Sequence, residues 1–156
     1  MQQFVFMIEY YQSVINKQLT YIFRKSLFKM SHFTKIKTKL YDLNTLKKSL
    51  SDLKLEWTAE NHVIKGYKGQ MHQAEIVIKQ KNDYDFGFRW NGAEYELVAD
   101  LMFWAQPYSV DKFLNQINQR YAYNSIVQVS ESENFNFTQS ENSQDGSIRV
   151  LLTRYK

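Results

Sequence analysis

A chain of 156 residues is about one domain long and can bury a proper core, and 44% apolar against 23% charged residues is the balance of an ordinary globular protein. Without cysteine there is no disulfide framework, no thiolate zinc site and no thiol nucleophile. The formal net charge of +4 is uneven: residues 1–29 carry four bases and one acid, 30–81 ten lysines and five acids, and 82–156 six bases and ten acids, which is not the footprint of a dedicated nucleic-acid binder.

The first 29 residues, "MQQFVFMIEYYQSVINKQLTYIFRKSLFK", differ from the rest. Their apolar run from Phe4 to Ile8 stops at Glu9, too short to span a bilayer, and no signal-peptide pattern follows. A helical stripe runs through Phe4, Ile8, Tyr11, Ile15, Leu19 and Ile22. We expect residues 1–29 to be a leader or extension outside the fold, Met30 to be the start proper, and residues 30–156 to form a single α+β domain. Phe, Tyr, Ile, Asn and Lys abound while Gly, Ala, Arg and Pro are scarce, as the codons of an AT-biased genome such as an organelle's would give.

From Met30 the pattern is regular. "HFTKIKTKLY" alternates, with Lys35, Lys37 and Lys39 on one face and Ile36, Thr38 and Leu40 on the other, and so predicts a strand. Leu43, Leu46, Leu50 and Leu53 then recur at helical spacing after a suitable N-cap, Asp42, and predict a helix over 43–53. "KLEWTAE" and "HQAEIVIKQK" predict two short strands around a connection holding Gly66 and Gly69. "YDFGFRWNGAEYELVAD" is a hairpin signal. With Asn91-Gly92 as a two-residue loop, Phe88 would face Tyr95, Arg89 would face Glu94 and Phe86 would face Leu97. Phe86, Phe88, Trp90, Tyr95 and Leu97 would then enter the core, and Asp85, Arg89, Glu94 and Glu96 would meet water. Pro107, Ser109 and Asp111 announce a long helix over about 110–130, and Asp145-Gly146 marks a closing hairpin. The expected fold is α+β, a mainly antiparallel sheet with two helices on one face, with a duplicated strand–helix–strand–strand unit as a further reading.

No catalytic constellation is visible. His32, His62 and His72 lack metal-ligand spacing; His62 and His72 could meet across strands, yet ordinary half-buried histidine is the commoner meaning. The carboxylates Asp83, Asp85, Glu94 and Glu96 suit a solvated face better than an acid–base pair. "GYKG" and "DFGF" lack the strand–loop–helix setting of a phosphate cradle. Lys35, Lys37 and Lys39 are the candidate phosphate contacts, although a solubilising face is the commoner use of such lysines. In "LMFWAQPY", 101–108, an exposed aromatic patch would be costly, so core is the plain reading. Alternation along a strand would put Phe103 in the core and leave Met102, Trp104 and Tyr108 as a docking surface or pocket wall.

"MSHFTKIKTKLYDLNTLKKSLSDL", residues 30–53, closely resembles the opening of the hypothetical chloroplast reading frame thirty-five (ycf) family of plastids and cyanobacteria. "FRWNGAEYELVADL", "QRYAYNSI" and "DGSIRVLLTRY" look like its later blocks, so the similarity runs from Met30 to the end of the chain. The resemblance implies a plastid protein and carries no activity with it. The expectation is a non-catalytic accessory or interaction module whose partner is another protein rather than nucleic acid, with no cofactor, no metal and no transmembrane segment. The alternatives are a small-ligand or cofactor-binding domain, with a cavity lined by Trp90 and Trp104, and a weak nucleic-acid-binding module using the three lysines.

Overall fold

The computed structural model describes residues 2–7, 33–59, 62–66, 69–142 and 147–154. Strand β1 is Gln2–Met7 and strand β2 is Thr34–Leu40. Along β2 the alternation predicts the faces correctly: Ile36, Thr38 and Leu40 are buried, Lys35, Lys37 and Lys39 exposed. The strand kinks before its end, where Lys39 adopts φ 61°. The kink is bonded from both sides. The Lys39 N–H donates to Glu94 Oε2 at 2.6 Å, and the Thr38 hydroxyl donates to the Tyr95 carbonyl.

Helix α1, Leu43–Asp52, begins as its leading aspartate predicts. Asp42 Oδ1 accepts from both the hydroxyl and the backbone N–H of Thr45 at 2.7 Å, bonds that hold its carboxyl below the usual carboxylate range. Helix α2, Val110–Ser132, is capped by Ser109, whose hydroxyl accepts from the Lys112 N–H. The two helices stop alike. Lys54 and Asn134 take left-handed φ values of 57°, and the next residue donates back into the last turn, Leu55 to the Leu50 carbonyl at 3.1 Å and Phe135 to that of Ser130 at 2.9 Å. Leu55 and Phe135 then each enter an apolar cluster, which fixes the exit direction.

Between the helices lie β3 (Trp57–Thr58), β4 (His62–Lys65), β5 (Met71–Ala74), β6 (Ile76–Ile78), β7 (Phe86–Trp90) and β8 (Tyr95–Ala99). A five-stranded sheet runs β2-β8-β7-β6-β3, antiparallel throughout. The β7–β8 hairpin forms, but its loop holds four residues, not two: Trp90 faces Tyr95, Arg89 faces Glu96 and Phe88 faces Leu97. Asn91 sets the longer loop. Its Oδ1 accepts from the N–H groups of Ala93 at 2.9 Å and Glu94 at 3.0 Å, its own N–H donates to the Glu94 carbonyl, and Gly92 alone supplies a positive φ, 100°. The register moves by two residues, which is one full side-chain period, so every face is preserved.

Phe86, Phe88, Tyr95 and Leu97 accordingly join Ile36, Leu40, Ile76 and Ile78 under Leu46 and Leu50 of α1 and Phe113, Leu114 and Ile117 of α2. Trp90 departs from that expectation. It is 38% exposed at the hairpin tip, its ring 4.9 Å from that of Tyr95. The architecture is α+β, an antiparallel sheet with both helices on one face.

The reverse face is not simply wet. The β4–β5 hairpin folds over it, and Ile64 and Ala74 meet Val77 there, with Phe33 alongside. Glu96, on the expected solvent face, is 8% exposed as a result. The second half of α2 leans on another sheet, β1-β10-β9, in which β9 is Asn136–Asn142 and β10 is Ile148–Arg154. Ile148, Val150 and Leu152 of β10 pack there with Ala122, Tyr123 and Ile126. The turn expected at Asp145-Gly146, and most of the leader's helical stripe, lie outside the described residues.

Candidate functional site

Residues 101–108 form a clamped turn rather than a strand. Leu101–Phe103 is a single 3-10 turn, started by Asp100, whose Oδ1 accepts from the Met102 N–H at 3.2 Å. The neighbouring 79–85 turn holds it through side-chain amides. Asn82 Nδ2 donates to the Phe103 carbonyl at 2.7 Å, and Gln80 Oε1 accepts from the Ala105 N–H at 2.8 Å. The Trp104 indole N–H donates to the Tyr108 carbonyl at 2.8 Å, closing the segment on itself.

Strand alternation therefore does not apply to this segment, and the rings divide differently from the expectation built on it. Trp104 lies against the main core, 4.6 Å from the Phe86 ring and 5.3 Å from Phe113, and Tyr108 stacks 6.2 Å from Phe113. Phe103 turns the other way and stacks on Tyr84 at 3.8 Å with 7° between the planes. Met102 is the most projecting, 65% exposed. Trp90 and Trp104 stand at opposite ends of β7, so they do not wall one cavity.

The reverse face holds a second group of polar side chains. Lys35 of β2, Arg89 of β7 and Glu96 of β8 share that side of the sheet; Lys35 Nζ is 3.9 Å from Glu96 Oε1, and Arg89 is directly opposite Glu96 in register. His72 enters from the hairpin above. It pairs with the buried Ile64 on the inner side of β4–β5, and its ring lies 4.3 Å from Phe33. Burial, then the charges of Lys35 and Arg89, pushes the His72 pKa down. The register sets His62 opposite Ala74, two pairs along from the Ile64–His72 pair. Of the other lysines singled out, Lys37 and Lys39 are exposed on β2. Asp85 is half-buried, accepting from the Gln80 N–H at 2.8 Å.

The block "QRYAYNSI" has a structural task that its sequence does not announce. The Tyr121 hydroxyl oxygen accepts the N–H groups of Tyr41 at 3.1 Å and Asp42 at 2.8 Å, at the entry to α1. One turn further, buried Asn124 donates to the Ser49 hydroxyl at 3.1 Å and to Asp52 Oδ2 at 3.0 Å. These bonds lock α1 against α2. Only the i, i+3 spacing of Tyr121 and Asn124 hints at it, and that spacing alone is common.

Among the described residues no three His, Cys, Asp or Glu side chains come together as metal ligands, and no helix is long and apolar enough to cross a membrane.

A family model described as "Protein of unknown function (DUF1257)" matches residues 49–151. The protein named "Uncharacterized protein ycf35" of Guillardia theta is 51% identical over 127 residues, 81% of this chain and 99% of that one. Its namesakes in Pyropia yezoensis and Cyanophora paradoxa are 44% and 40% identical, each over 81% of this chain and 98% or 99% of their own. These relatives are ycf proteins encoded in algal plastid genomes. No solved structure matches. With the family model and these relatives in agreement, the chain belongs to the ycf35 family, the family described as DUF1257.

Proposed function

We propose that this protein works in the plastid as a non-catalytic accessory module that docks a partner protein through the 101–108 turn. One observation carries the reading: Met102, a large apolar side chain, is 65% exposed on a turn held by its neighbours' side chains. A side chain presented on a fixed backbone loses little entropy on docking, and an unbranched thioether adapts to an apolar pocket. Trp104 and Tyr108, half-buried behind it, form the wall of the surface. The plastid setting is supported by the relatives, which are plastid-encoded.

Met102→Glu tests this. Its stability is expected to stay within about 0.5 kcal/mol of the parent, because the side chain leaves the core untouched. Tagged protein recovered from the native plastid should hold a partner that the variant loses, as mass spectrometry would record. A partner set identical for parent and variant would refute the docking role.

We further propose that residues 30–156 are the folding unit. Two observations support this: about a fifth of this chain lies outside the alignment with its relatives, and β10 has apolar support of its own from α2, apart from its ladder to β1. Deleting residues 1–29 is expected to leave the denaturant midpoint and slope unchanged. A loss of several kcal/mol would mean that β1 belongs to the folding unit.

A further inference from the structure

Strand β10 is held from two sides, and its third side carries a strand that the relatives do without. Ile148, Val150 and Leu152 pack on Ala122, Tyr123 and Ile126 of α2, and one flank is laddered to β9. On the other flank lies β1, paired antiparallel over six consecutive residues, from Gln2 opposite Arg154 to Met7 opposite Arg149. The Guillardia theta relative is matched over 99% of its length by 127 residues of this chain. The shared blocks begin at Met30, so that protein has no counterpart of β1.

An edge without its strand is normally guarded by charges, prolines or bulges. Between Arg149 and Arg154, β10 has no charge and no proline, and its bulge at Leu151/Leu152 disturbs the β9 ladder while leaving the β1 ladder unbroken. The two end arginines do not call for charge on an incoming strand. Arg149 faces Glu141 of β9, and the Arg154 guanidinium lies 5.3 Å over the Phe135 ring. Residues 2–7 carry no charge either.

We propose that the outer edge of β10, residues 149–154, accepts an extended, uncharged apolar segment of another protein, and that residues 2–7 occupy it in cis until that segment displaces them. The ladder is made by backbone groups, so any segment that extends and fits the register can replace β1. The residues in register with Leu152, Leu151 and Val150, here Phe4, Val5 and Phe6, set the preference for large apolar side chains. The inference rests on residues 30–156 being the folding unit and is independent of the 101–108 turn.

The test uses the full chain. Phe4→Pro/Val5→Pro removes two successive backbone N–H groups, one of which must point at β10, and so frees the edge. The probe is a labelled peptide of residues 2–7 with a solubilising dilysine tail. It should bind the double variant one to one and slow amide exchange across 148–154. The parent should bind it about tenfold more weakly or worse, because its own strand must leave first. A peptide carrying the same two prolines should not bind. Equal binding by parent and variant would overturn the proposal, as would equal binding of the two peptides or no binding to a folded variant. A parent that runs as a dimer, and becomes a monomer in the variant, would make a second copy the occupant and overturn it too. A variant that does not fold would refute the folding-unit reading first, and this proposal with it.

Discussion

Gly87→Val is expected to cost about 3 kcal/mol or more and to lift the β4–β5 hairpin from the sheet. The backbone conformation at Gly87 is ordinary, so strain in φ is not the cause; space is. A Cβ built there would overlap the Ile76 carbonyl oxygen and come within 3.0 Å of Ala74 Cβ and 3.1 Å of Ile64 Cδ1. The carbonyl belongs to β6, which is laddered to β7 and cannot retreat without breaking that pairing. The two side chains belong to the hairpin, which has only a small cluster to hold it down. Overpacking by one methyl costs about 1–3 kcal/mol, and valine adds two more. Relieving the carbonyl overlap means opening the β6–β7 ladder, and relieving the two side-chain contacts means lifting the hairpin. Denaturant unfolding should record the loss. Hydrogen exchange should show the β4–β5 amides losing protection well before those of α2. An unchanged midpoint would mean that the reverse-face contact does not bear on stability.

The hairpin's dependence on Gly87 also shows where sequence reading stops. Period-two alternation in β2 and period-3.6 repeats in α1 and α2 are local, and each predicted its element to within about two residues. Asp42 and Ser109 were legible for the same reason, since a cap acts on N–H groups two or three residues away. The β7–β8 register was half legible. Asn-Gly announces a turn, but whether the loop holds two or four residues was decided by the Asn91 side chain capturing two further N–H groups. The reverse face was not legible at all. Glu96 alternates like a solvent-facing residue, and what buries it is a separate hairpin whose placement rests on Gly87 and Ala74 being small. The charged cluster escaped notice for a related reason: Lys35, His72 and Arg89 are far apart in the chain, and no spacing rule joins three strands. The 101–108 segment misled because aromatic residues suggest a strand, whereas Asp100 and the amides of Gln80 and Asn82 bend it into a turn.

That turn yields the other large effect. Phe113→Ala is expected to destabilise the domain by about 3–5 kcal/mol, because the ring is 1% exposed and three aromatic partners converge on it. Phe86 and Trp104 meet it edge-on, at 5.2 and 5.3 Å with planes 86° and 74° apart, and Tyr108 stacks at 6.2 Å. Its loss would open a cavity between α2 and the sheet while also removing edge-to-face pairs worth about 0.5–1.5 kcal/mol each. Trp104→Ala should follow at about 2–3 kcal/mol, since the indole fills the margin of the same core and its N–H closes the turn. Phe103→Ala should cost least, about 1 kcal/mol, because its described ring contact is the stack on half-buried Tyr84. Urea or guanidinium unfolding of the three variants gives the order directly. A Phe103 variant weaker than the Trp104 variant would reinstate the strand-like alternation of this segment and leave the clamped turn without energetic meaning. The order Phe113, Trp104, Phe103 instead ties the turn to the core through its tryptophan, which is what lets Met102 project from it on a fixed base.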